Sequence, residues 1–179
     1  GASAVYQAGY VHFQPGCGLY LLIQWLDETE RGLVEQALRA LGDAGVGGER
    51  SAGHGLFDLA DPQPMALQGP EDGSRFVTLS LYHPTKAEVK PVLGESSAYE
   101  LEARGGWMAS PEEMARRRKV VRMLSEGSVL TGWQPGRVYG DLADVTPEKT
   151  AGWTPPHRVY RYGFAFPVAA VEAAEEGKV

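Results

Sequence analysis

Five glycines fall within eleven positions, at Gly45, Gly47, Gly48, Gly53 and Gly55, with Arg50, Ser51 and His54 set among them. Glycine permits positive φ and lets another backbone come within hydrogen-bond reach of exposed N–H groups. Arg50 adds a guanidinium fork that can hold phosphate through two parallel bonds, and Ser51 adds a hydroxyl donor. The segment GVGGERSAGHGLF therefore suits a polyanion, while the competing reading is a flexible connection. Two nucleotide loops are excluded by spacing. No GxxxxGK[ST] is present, and the GxG pairs precede a β-prone stretch instead of opening a helix.

A second group of candidates is cationic. Arg116, Arg117, Arg118, Lys119 and Arg122 fall within seven positions. Such a cluster can hold several phosphates or can simply form a solvated face. Trp107 and Arg104 lie just upstream, where an indole could stack on an unpaired base or join the core. The net charge of −6 argues against a chain that coats nucleic acid by bulk electrostatics.

Acid–base and metal chemistry find less support. His54 could act as a general acid or base toward a ribose 2′-hydroxyl, but no orienting partner is identifiable in the sequence. His12, His83 and His157 are dispersed, without His or Cys at metal-ligand spacing. Asp141 and Asp144 could share a magnesium ion, yet two acids in a Gly-rich stretch read more naturally as turn formers. Cys17 is the single cysteine, which excludes an intramolecular disulfide and a cysteine-rich zinc cluster. No metal or cofactor is expected, no apolar run is long enough to span a bilayer, and a reducing, cytoplasmic setting fits.

The elements that must carry these residues divide the chain in two. Residues 5–13 and 19–26 have strand composition around turn chemistry at 15–18, which predicts a hairpin. Asp27 and Glu30 offer a capping box, and Leu33, Val34, Ala37, Leu38 and Leu41 recur at helical spacing, with Gly42 marking the helix end. Residues 55–59 read as a returning strand. A first unit over 4–61 thus runs strand, strand, helix, strand, the last four elements of a ferredoxin-like domain. The segment completing it is expected elsewhere in the same polypeptide.

Residues 62–73 form a Pro/Gly-rich linker. A second unit over 74–170 opens with a strand at 75–82 and continues with a Thr85–Glu88 capping box and a short helix to Leu93. Strands follow at 98–108 and 118–124, then Gly- and Pro-rich loops over 125–156 and a closing strand at 158–168. Its last helix is shortened or replaced by loops. Residues 171–179 are an acidic tail.

The glycine segment joined to RSAGHG, placed after a helix and before a strand, resembles the glycine-rich loop of the CRISPR-associated RAMP superfamily. Within it, the chain resembles the crRNA 5′-tag-capping subunit of type III-A (Csm) effector complexes, although type III-B complexes contain a similar subunit. GLYLLIQ, SLYHPT, YELEARGGWM, RRKVVRMLSEGSVL and VYRYGFAFPV extend the likeness over essentially the whole chain. Members of that family are longer and begin with the first half of the N-terminal domain.

The resemblance implies an α+β fold of tandem ferredoxin-like (RRM-like) RAMP domains, the first incomplete here. It also implies a noncatalytic subunit that holds the crRNA 5′ tag and joins the large polymerase-like subunit to the backbone RAMP subunit. Carried over by position, Gly45, Gly47, Gly48, Arg50, Ser51, Gly53, His54 and Gly55 contact the tag. Arg104, Trp107, Arg116, Arg117 and Lys119 are added on charge and stacking. Two alternatives stay open: a metal-independent endoribonuclease acting through His54, and an adaptor that binds only protein.

Overall fold

The computed structural model describes residues 9–70, 73–108 and 116–171, and its contacts separate a first unit, Gly1–Gln63, from a second, Pro64–Val179. In the first, the Asp27 carboxylate accepts the Thr29 N–H at 2.9 Å and starts a single 3-10 turn, Glu28–Glu30, which leads into helix α1, Arg31–Ala44. Hydrogen bonding to Thr29 holds the Asp27 carboxyl below the usual carboxylate range. Arg31 bridges the turn by contacting Glu28 at 3.7 Å and Glu35 at 2.8 Å.

The helix runs past Gly42, which the sequence suggested as its end. Gly42 is buried inside α1 because the Phe57 carbonyl presses on its α-carbon, where a Cβ would collide, and the Phe57 N–H donates to Gly42 O at 3.2 Å. The helix stops instead at Gly45, whose φ of 78° breaks the helical run while its N–H still reaches Leu41 O.

No ladder joins the described part of 9–26, which has only a turn bonded from Cys17 N–H to Gln14 O, so the expected hairpin is not formed there. The physical reason is pairing. Composition makes Tyr10, Val11, Leu19, Tyr20 and Leu21 strand-prone, but a strand needs a neighbour to take its N–H and C=O groups, and these side chains are exposed. Residues 1–8 lie outside the described chain. The stretch 55–59 is likewise no strand, because its backbone bonds go to Val46 and Gly42.

The second unit contains β1 (Arg75–Thr78), α2 (Val89–Val92), β2 (Leu101–Arg104), β3 (Trp107–Met108), β4 (Arg116–Arg117), β5 (Val121–Leu124), β6 (Val129–Thr131), β7 (Leu142–Asp144), β8 (Tyr160–Tyr162) and β9 (Pro167–Ala170). Strand β1 lies between β6 and β9, antiparallel to both, with Phe76 opposite Leu130 and Ala169. The pairs β2–β5, β3–β4 and β7–β8 are also antiparallel.

Isolated bridges extend the ladders. Tyr82 pairs with Leu124 five residues beyond the Val77–Val129 pair on each strand, so residues 121–131 stay in register beside 75–82. On the other side Ala98 pairs with Val129 and Leu101 with Leu124. The extra residues there form a turn closed by Ser128 Oγ donating to Ser125 O at 2.7 Å, a bulge within one long strand. The neighbour order is therefore 167–170, 75–82, 121–131, 98–104. Sequence reading ended the third of these at Leu124 and assigned 125–156 to loops, which hid β6 and β7. The expected closing strand is split into β8 and β9 by residues 163–166.

Alternation along β1 turns Phe76 and Thr78 inward, and Tyr82 is also fully buried. With Val92, Leu124, Leu130 and Tyr139 they form a core against which Trp133 packs. Rings of Phe76 and Tyr139 lie 4.6 Å apart, and complete burial of each large apolar side chain contributes about 1.5–3 kcal/mol. The Thr85–Glu88 box forms, with Thr85 N–H donating to Glu88 Oε2 at 2.9 Å. Buried Glu88 also accepts the Gly140 N–H at 3.1 Å and faces Arg137 at 3.7 Å, joining the start of α2 to the loop before β7. Burial and this carboxylate push the Tyr82 hydroxyl well above the ordinary tyrosine value.

The latter part of the expected 62–73 linker belongs to the second unit: Gly69 and Gly73 lie against Ala169 and Ala170 of β9. Residues 172–179 of the acidic tail lie outside the described chain. Among the described residues no helix is long and apolar enough to cross a membrane.

Candidate nucleic-acid interface

Glycines of the 45–55 loop fall into two groups. At its base, Val46 N–H donates to Gly55 O at 2.9 Å, and the two ends of the loop touch backbone to backbone. A Cβ on Gly45 would stand 2.8 Å from His54 O, and one on Gly55 would overlap Val46 O. Both have φ near 80°, which disfavours any side chain independently of space. At the tip, Gly47, Gly48 and Gly53 have nothing within 4 Å of the place a Cβ would occupy.

Between them, Arg50–Ala52 makes one 3-10 turn, closed by Gly53 N–H to Arg50 O at 2.9 Å and ending in Gly53 with a left-handed conformation. Arg50 and Ser51 sit on that turn. The His54 N–H is tied to Glu49 O at 3.3 Å, and its ring packs on Tyr10 with centroids 4.7 Å apart. No carboxylate orients the His54 imidazole among the described residues. A shallow hollow beside the loop base is lined by Gly42, Asp43, Leu56, Phe57 and Asp58. Its two carboxylates make it unsuitable for phosphate.

In the second unit, Arg104, Trp107, Arg116, Arg117 and Lys119 come onto β2, β3, β4 and the residue after next. Trp107 is 56% exposed while Met108 beside it is buried, so the strand turns Met108 inward and leaves the indole outside the core. Arg117, directly opposite Trp107 in the ladder, lies 5.0 Å over its ring, and Arg116 lies 4.7 Å over Trp153. These guanidinium–indole stacks are attractive through the ring quadrupole and present flat surfaces. Lys119 instead faces Glu148 at 3.9 Å, and Arg104 binds Glu102 at 2.9 Å.

Sequence reasoning counted Arg118 in the cationic cluster at 116–122 but missed Arg161. Arg161 lies between Tyr160 and Tyr162 on β8, and that period-two alternation is the signal that sets it on the opposite face from two exposed aromatics. Burial, and then the like charges of Arg118 and Arg104, pull the Arg161 guanidinium below its ordinary value.

The Asp141–Asp144 pairing considered for magnesium is not made. Asp141 Oδ1 lies 2.6 Å from His83 Nδ1, and Asp144 binds Arg158 at 2.9 Å and the Thr146 N–H. A carboxylate-held imidazole is an acid–base arrangement that no local motif could reveal, since its members are 58 residues apart. Among the described residues no three His, Cys, Asp or Glu side chains converge as a metal site.

Comparison with known proteins adds a family. Residues 71–170 match the family described as the CRISPR Csm4 C-terminal domain. A Mycobacterium tuberculosis (strain CDC 1551 / Oshkosh) protein named CRISPR system Cms protein Csm4 is 33% identical over 172 residues, covering 94% of this chain and 52% of that protein. Its namesake from Thermococcus onnurineus (strain NA1) is 31% identical over 167 residues, covering 93% and 48%. The chain thus spans about half the length of these curated relatives.

Proposed function

The chain belongs to the Csm4 family, and from that premise we propose that it is a noncatalytic RNA-gripping part of a type III CRISPR effector complex. In this reading the 45–55 loop holds the 5′ tag of the crRNA, and the polypeptide joins the large polymerase-like subunit to the backbone RAMP subunit. The observation that carries it is the division of the loop. Its base is locked by glycine-to-backbone contacts, whereas Gly47, Gly48 and Gly53 leave open space beside Arg50 and Ser51 for an incoming phosphate backbone.

The sheet order of the second unit supports a ferredoxin-like domain. The closing strand neighbours the opening one, then the third, then the second, all antiparallel. The packing of His54 on Tyr10, with no acid to orient the imidazole among the described residues, favours a holding role for the loop over an endoribonuclease.

The test is RNA affinity of the full-length polypeptide for an oligonucleotide carrying the repeat-derived 5′ tag. Arg50→Ala combined with Gly53→Val should weaken binding at least about tenfold, or ~1.4 kcal/mol. Unchanged affinity with intact complex assembly would replace this reading with a protein-only adaptor.

A further inference from the structure

Three guanidinium groups converge on the Gly105–Gly106 turn, and sequence spacing brings only two of them near each other. Arg104 ends β2 immediately before the turn. Arg118 follows β4; its backbone N–H donates to Gly106 O at 2.9 Å, and its guanidinium lies over Gly106, where an added Cβ would stand 2.6 Å from Nη2. Arg161 reaches in from β8, donating from Nη2 to Gly105 O at 3.0 Å. Glycine at 106 leaves the volume that the Arg118 fork occupies, so the turn itself seats the cluster.

Its hydrogen bonding is incomplete. Nε of Arg104, of Arg118 and of Arg161 is buried without a partner among the described residues. Glu102 pairs with Arg104, and no carboxylate pairs with Arg118 or Arg161 among the described residues. Gathering three like charges is unfavourable, and leaving buried donors unsatisfied adds to the cost. An anion with several acceptor oxygens offsets the gathered charge, and a phosphodiester matches the terminal nitrogens of the guanidinium fork. The flanking β3–β4 ladder, with Arg117 on exposed Trp107 and Arg116 on Trp153, favours RNA over an acidic peptide, because flat cation–aromatic stacks suit unpaired bases.

We propose that Arg104, Arg118 and Arg161 form a phosphodiester site for single-stranded RNA, built from residues other than the glycine loop. This rests on the reading of the chain as an RNA-binding subunit. The test measures binding of a single-stranded RNA by the full-length polypeptide across about 50–200 mM salt, where each phosphate contact contributes about 0.7 to the log–log slope. Arg118→Gln with Arg161→Gln should weaken binding about tenfold and flatten the slope by about 0.7. The charge-keeping Arg118→Lys with Arg161→Lys should retain the slope while losing part of the affinity.

Arg161 also holds the Gly105 carbonyl. If the double variant fails to fold, Arg118→Gln alone carries the test, since the Arg118 side chain anchors no backbone group among the described residues. Wild-type RNA binding with slope and affinity unchanged in the variants overturns this site and leaves the functional reading standing. Polyglutamate displacing RNA from wild type but not from Arg118→Gln would make the cluster a docking point for acidic protein, which also overturns the proposal. A full-length wild type that binds no RNA removes the functional reading and the site together.

Discussion

The two units are held together by different means. The second has a core of Phe76, Tyr82, Val92, Leu124, Leu130 and Tyr139, with strands paired on both sides of β1. In the first, the buried residues among those described are Gly42 and Gly45, and what order there is comes from a capped helix and from carbonyls pressed onto glycines. The difference teaches that a loop can be conformationally defined without a hydrophobic core. Its definition then depends on what glycine lacks, whereas the second unit depends on what its large side chains fill.

Removing bulk and adding bulk should therefore act oppositely on the two. The largest effect is expected from Phe76→Ala, which empties the core beneath three other rings and should cost about 3–5 kcal/mol, read by denaturant unfolding of the second unit's signal. Next is Gly55→Ala, one carbon added where Val46 O already sits. It should loosen the loop base, read as faster amide hydrogen exchange at Val46 and Phe57, while Gly48→Ala, with open space and no positive φ, should leave that protection unchanged. Equal effects at 48 and 55 would erase the distinction between base and tip.

The smallest concerns pH. Hydrogen bonds from Thr146, with Arg158 nearby, hold Asp144 below its ordinary carboxyl value. A depressed folded pKa contributes stability that is present above the unfolded value and is lost as pH falls through the folded one. Asp144→Asn should slightly flatten the acid side of the stability profile, and a steeper profile would show that the carboxylate is not stabilised in the fold.

What was legible in the sequence was mostly local. Asp27 caps a helical turn and Glu88 reaches back to Thr85 because both bonds span two or three residues, and the alternation at 75–82 marks the inward face of β1. Strand composition at 19–26 was visible too, but composition cannot supply a pairing partner. Strand β6 was hidden because the Ser125–Ser128 turn interrupts its run, and β7 because it lies among Gly and Pro. At the site, the density of glycine was readable, while the separate duties of Gly55 and Gly48 were not, since they depend on which carbonyl stands opposite each α-carbon. The place of Arg161 beside Arg118 arises from strands far apart in the chain.

The division within the loop also sets how it can evolve. Substitutions at Gly42, Gly45 or Gly55 meet a carbonyl that cannot move aside, so these sites should stay glycine in any lineage that keeps the loop's shape. Positions 47, 48 and 53 face no such wall from the protein. Gly47 and Gly53 are still held to glycine by φ of 99° and 81°, so only at Gly48 does the variation tolerated record the contour of whatever lies against the tip.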